Sequence, residues 1–104
     1  MMAICQIAHN RNQTPEQADQ IFAHLRTTGP VPPDGARLVV AGPADPGYRV
    51  ITVWDSNEAR ERFVEGRLAQ AYEVNGLSMD DLERTVFEVR SLVAGDLVGT
   101  PQSA

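Results

Sequence analysis

Lysine is absent from this chain of 104 residues: all nine cationic side chains are arginines, scattered among 14 carboxylates for a net charge of −5. Nucleic-acid binders depend on basic stripes that neutralise phosphate. The acidic balance therefore argues against nucleic acid, and against anionic membrane surfaces as well. The missing lysine itself is read as a bias of genome composition. Cysteine occurs once, at Cys5, so no intrachain disulfide can form. Cys5 lies in an apolar run, where a free thiol behaves as a small buried hydrophobe. No apolar stretch approaches the ~20 residues that span a bilayer, and the N-terminus shows no basic segment leading into an apolar one. A soluble cytoplasmic protein is expected. Signatures of common chemistry are also missing. No glycine-rich phosphate loop, no metal-ligand spacing of His, Cys or carboxylates, and no nucleophile elbow around Ser56 or Ser78 can be found.

What is present reads as one domain over 1–94 and a tail over 95–104 that holds two Gly and one Pro. Residues 3–9 form a short apolar strand. Thr14, Pro15 and Gln17 then write a capping box with proline at the first helical position. Ala18, Ile21, Phe22 and Leu25 follow at helical spacing. Residues 37–42 and 48–54 read as strands joined by the turn 43–47, a connection short enough to demand antiparallel neighbours. Asp55 or Ser56 caps a second helix carrying Phe63, Val64, Leu68, Ala71 and Tyr72, which ends at Asn75-Gly76. Residues 84–93 alternate as a fourth strand. The order β-α-β-β-α-β is the ferredoxin-like split arrangement, an α+β fold. Right-handed crossovers place both helices on one face of a four-stranded antiparallel sheet.

Two helices cover only one face, yet the strands are apolar on both. Ile51 and Val53 point one way, and Tyr48, Val50 and Trp54 the other. An uncovered face would expose on the order of 400 Å² of apolar surface. A second copy of the chain, packed through the sheet, is the expected cover; the tail folding back is the other option.

The string Val50-Ile51-Thr52-Val53-Trp54-Asp55-Ser56, followed by Glu58-Ala59 and Phe63, resembles the strand-to-helix junction of the antibiotic-biosynthesis-monooxygenase-like family. That family belongs to the dimeric α+β barrel superfamily. The resemblance implies a homodimer with sheets face to face, and in each protomer a pocket between sheet and helices. Some members oxidise quinol-like or polyketide-like substrates with oxygen and no cofactor, and others degrade haem. Haem-degrading relatives place a His late in the second helix, where this chain reads Leu68 to Val74 without one. Haem is thus disfavoured, and no cofactor is expected.

Oxygen chemistry without a cofactor needs a base for the substrate's proton and a group to hold the resulting anion. His9 is the candidate base by type, and Arg90, in the fourth strand, the candidate anion holder. Each also has an ordinary reading: His9 a half-exposed histidine at a strand end, Arg90 an ion pair with Glu88. Cys5 and His9 share a strand face but lie roughly 13 Å apart at ~3.3 Å per residue, too far for a dyad. Trp54 is a candidate aromatic wall, Tyr48 and Tyr72 candidate phenolic partners, and His24, on the rim of the first helix, a further candidate contact. Arg60, Glu61 and Arg62 read as a solvated helix face. Two functions remain open: an enzyme acting on a small planar aromatic metabolite, or a non-catalytic homodimer that binds a ligand or a partner protein.

Overall fold

The computed structural model describes residues 3–93 and 95. Four strands alternate with helices: β1 (Ile4–Asn10), α1 (Pro15–Thr28), β2 (Ala36–Pro43), β3 (Tyr48–Trp54), a second helical segment, and β4 (Leu82–Glu88). The second segment comprises α2 (Asn57–Phe63), a π-helical turn (Val64–Leu68) and α3 (Ala69–Val74) in direct succession. The sheet order is β2-β3-β1-β4, with every neighbouring pair antiparallel. This is the expected ferredoxin-like α+β arrangement, with β1 and β3 at its centre.

Local signals explain the element ends. The Thr14 hydroxyl accepts from the Gln17 amide at 3.2 Å, while the Gln17 side chain accepts from the Thr14 amide at 2.9 Å. The capping box thus satisfies two otherwise orphaned donors. The Ser56 hydroxyl caps the second helix through the Ala59 amide. The turn between β2 and β3 crosses the end of β1 so closely that a Cβ at Gly47 would collide with the Asn10 carbonyl. Gly47 also holds φ at +88°, in the region that favours glycine.

The C-terminal end of α1 is closed from across the fold. Arg67, projecting from the π-turn, donates to the Leu25 carbonyl at 2.6 Å, the Pro30 carbonyl at 2.9 Å and the Thr28 hydroxyl at 3.2 Å. A cation bound to the last carbonyls of a helix complements its dipole as well as its orphaned acceptors. Ile21, Leu25, Ala71 and Tyr72 form the centre of the core, joined at its margin by Val31, Phe63, Leu68, Leu77 and Met79.

Two expectations are corrected. The fourth strand spans Leu82–Glu88, not 84–93. β1 begins at Ile4, opposite Glu88, and among the described residues the ladder ends with the bond from the Val89 amide to the Ala3 carbonyl. Arg60 is not solvated: its side chain is only 12% exposed, because Nη1 donates to Gln6 Oε1 and Nε to Asn57 Oδ1, both at 2.9 Å. Of the expected tail, 95–104, all but Gly95 lies outside the described residues.

Candidate functional site

Register divides the sheet into two chemically different faces. Towards the helices point Gln6, Ala8 and Asn10 from β1, and Tyr48, Val50, Thr52 and Trp54 from β3. The opposite face carries three rows across the strands: Leu38-Val53-Cys5-Phe87, Val40-Ile51-Ile7-Thr85, and Gly42-Arg49-His9-Glu83. The first two rows are almost wholly apolar. Leu38, Val40 and Phe87 stand 38%, 50% and 48% exposed, so among the described residues nothing covers them fully.

Between the sheet and the helices lies a cavity of about 70 Å³. Ala8 on the floor and Ala18 on α1 are short enough to leave the space open. That volume accommodates on the order of five waters, or the ring of a small molecule in their place. Trp54 is 1% exposed and forms one wall, its ring centroid 5.5 Å from that of Phe63. The Trp54 indole N–H donates to Thr52 Oγ1 at 2.8 Å, leaving the threonine hydrogen free to donate. At the other end, Gln13 Nε2 donates to the Tyr72 hydroxyl at 3.2 Å. Because the Tyr72 oxygen accepts from Gln13, its hydroxyl hydrogen remains available as a donor.

Burial pushes the Tyr72 phenol up from its ordinary pKa of 10.0, with the hydrogen bonds from Gln13 and Asn10 pulling weakly the other way. Tyr48 is pushed up by burial and by the nearby Asp19 carboxylate. Both phenols are therefore neutral hydrogen-bonding groups at physiological pH. The polar side chains that line the cavity (Gln6, Asn10, Gln13, Tyr48, Thr52, Tyr72) carry no charge, and among the described residues no carboxylate, imidazole or guanidinium lines it. Chemically, the arrangement can sandwich an apolar ring and satisfy its oxygen substituents, but it brings no group to the cavity that takes up a proton near neutral pH.

Of the candidate residues, Trp54, Tyr48 and Tyr72 are brought together around this cavity. His9 sits on the central strand but on the opposite sheet face, where Nε2 bonds the Pro46 carbonyl at 2.7 Å and Nδ1 stands 4.0 Å from Glu83 Oε1. Arg90 lies beyond the end of β4 and is exposed, and no ion pair with Glu88 is found among the described residues. His24, on α1, is half-buried with an unpartnered Nε2 and does not line the cavity. Sequence reasoning missed Gln6, Asn10, Gln13 and Thr52. The signal was there: Gln6, Ala8 and Asn10 alternate with the apolar residues of β1. Cys5 is buried, and its thiol is pushed up by that burial, the reverse of an activated nucleophile. Among the described residues no cluster suits a metal ion, and no helix is long and apolar enough to cross a membrane.

Neither a protein-family model nor a curated protein matches the sequence. Solved structures do match. SnoaB, a cofactor-independent oxygenase from Streptomyces nogalater, is 19% identical, with a TM-score of 0.59 over 90% of this chain and 98% of its own. A protein from Deinococcus radiodurans, assigned by inference to the antibiotic biosynthesis monooxygenases, is 20% identical, with a TM-score of 0.54 over 94% of this chain and 100% of its own. The chain shares the ferredoxin-like α+β fold of these proteins. The same fold is also found in proteins with no assigned role. A dimeric ferredoxin-like protein of unknown function from Thermobifida fusca is 17% identical, with a TM-score of 0.62 over 85% of this chain and 92% of its own. At such identities the likeness concerns the fold, and activity has to be argued from the cavity.

Proposed function

We propose that this chain is a homodimeric, cytoplasmic small-molecule-binding protein whose cavity takes a planar, uncharged aromatic carrying hydroxyl or carbonyl oxygens, a quinol-like ring. The observation that carries the reading is the cavity lining. An aromatic wall at Trp54 and Phe63 faces neutral donors and acceptors at both ends, with no fixed charge to reward an ion. The homodimer is supported by the two apolar rows of the open sheet face and by the dimeric neighbour from Thermobifida fusca. A single buried free thiol suits a reducing cytoplasm.

Cofactor-independent oxygenation is the second reading, favoured by the likeness to SnoaB. It requires a base for the quinol proton. His9 would have to act from the far side of the sheet, and Arg90 from beyond β4, so binding is the better-supported function. Trp54 is the only tryptophan, and its fluorescence reports directly on the cavity. Titration with hydroquinone is expected to change that emission saturably, with no oxygen uptake at an electrode. Absence of saturable binding refutes the proposal, whereas protein-dependent oxygen uptake moves the assignment to the oxygenase. For the dimer, Val40→Glu is expected to reduce the mass in solution from about twice 11.4 kDa to 11.4 kDa. A wild-type monomer by light scattering overturns it.

A further inference from the structure

Arginine and tryptophan side chains can only donate hydrogen bonds, and this fixes the orientation of two polar side chains in the cavity. Arg60 Nη1 donates to the Gln6 side chain at 2.9 Å, so the atom that Gln6 turns to α2 is its carbonyl oxygen. The Trp54 indole donates to Thr52 at 2.8 Å, so the Thr52 oxygen accepts and its hydrogen is left over. Arg60 is itself held in place: Nε donates to Asn57 Oδ1 at 2.9 Å, and Nη2 stands 3.7 Å from Glu61 Oε1. Turning the Gln6 amide over would set its NH₂ against the guanidinium, two donors facing each other in a buried place.

Both residues are thereby left as donors, side by side. Gln6 and Thr52 are cross-strand partners in the register of β1 and β3, and both line the cavity. Such partners hold their Cβ atoms about 4.5–5.5 Å apart, close enough for both side chains to reach one oxygen atom. Gln6 is 4% and Thr52 8% exposed. Among the described residues the Gln6 NH₂ has no partner, and the one sealed polar side-chain atom without a partner is His24 Nε2. The Gln6 NH₂ therefore keeps contact with open space, and the space Gln6 lines is the cavity. A carbonyl oxygen has two acceptor lone pairs and takes both donors at once. A hydroxyl brings a hydrogen of its own. Arg60 already occupies the Gln6 oxygen, and a hydroxyl donating to the Thr52 oxygen leaves the Thr52 hydrogen unplaced, which is costly in a buried site.

We propose that Gln6 and Thr52 form a two-donor clamp for a ring carbonyl, held in that state by Arg60, so that the cavity takes a quinone-like ring in preference to a quinol. This rests on the cavity being a ring-binding site, as proposed above. Arg60 is a positioning residue, since it acts on the ligand through Gln6.

The test titrates 1,4-benzoquinone and hydroquinone, which share one ring and differ by two hydrogens, by calorimetry. The chain has no lysine and its one thiol, Cys5, is buried, so the quinone meets little that it can arylate. Benzoquinone is expected to bind at least tenfold more tightly than hydroquinone. Gln6→Glu keeps the contact with Arg60 but presents an acceptor to the cavity. Benzoquinone should then lose at least tenfold in affinity, and hydroquinone should become the tighter ligand. Arg60→Leu frees the Gln6 amide to turn over, so the preference should fall towards unity, and Arg60→Lys, which still only donates, should retain most of it. An arginine with a merely structural role would weaken both ligands alike and leave their ratio unchanged, and that result would overturn the positioning role. The wild-type ratio decides the clamp even if a variant fails to fold. If hydroquinone binds as tightly as benzoquinone or more tightly, the clamp inference fails while the ring site stands. If neither binds, the ring site itself falls.

Discussion

The bond from the Trp54 indole to Thr52 Oγ1 sits at the centre of the cavity wall, with Trp54 1% and Thr52 8% exposed. Thr52→Val preserves shape and strand preference but leaves a buried N–H without its acceptor. Orphaning such a donor costs about 1–3 kcal/mol, against about 0.5–1.5 kcal/mol for the net value of an ordinary hydrogen bond. Trp54→Phe removes the donor, and it also leaves space where the bicyclic ring packed on Phe63, for a total of roughly 2 kcal/mol. The double variant has no orphaned donor. Its destabilisation should therefore fall short of the sum of the two singles by about 1 kcal/mol, well outside the ~0.3–0.5 kcal/mol scatter of independent sites. For a domain near 100 residues, that deficit corresponds to roughly 4–8 °C in Tm. Urea unfolding followed by circular dichroism measures all four proteins on one scale, with no reliance on the tryptophan being replaced. Additive single effects would show that the bond carries no coupling energy, and the account of the wall as a locked unit would be wrong.

Ala8→Leu should fill the cavity floor, lowering hydroquinone affinity at least tenfold at a stability cost of no more than about 1–3 kcal/mol; retained binding in calorimetry would place the ligand elsewhere. The raised Tyr72 pKa predicts a loss of stability in alkali. Below pH 10 both folded and unfolded phenols are protonated and the stability is intact. As pH rises from 10 through the higher folded value, the unfolded state ionises first and the folded state loses its advantage. Tyr72→Phe should flatten the fall in Tm between pH 9 and 11, and an unchanged slope would assign the alkaline sensitivity to other groups. Arg67→Ala leaves the Leu25 and Pro30 carbonyls without their cationic donor. An expected cost of about 1–2 kcal/mol should be only partly recovered by Arg67→Lys, which lacks the planar fork; an unaffected Tm would mean that water replaces the guanidinium.

Much of the fold was legible because it is written locally. The capping box at Thr14, the turn residues between β2 and β3, and the alternation in β1 and β3 each act over a few residues, and each specifies its element before any packing occurs. Apolar residues on both faces of β3 sufficed to anticipate an uncovered sheet face. What the sequence could not determine is which side chains of different elements meet. His9, a base by type at the end of a central strand, and Arg90, a cation in an apolar stretch, are candidates in the sequence, but one residue of strand parity puts His9 on the far face, and β4 ends at Glu88, before Arg90. Arg60, read as solvated, is drawn inward because Gln6 waits on the facing strand. The ring cavity and the neutrality of its lining exist only when β1, β3, α1 and α3 are packed together. Periodicity fixes the face of an element, whereas the volume left between two faces depends on the side chains of both.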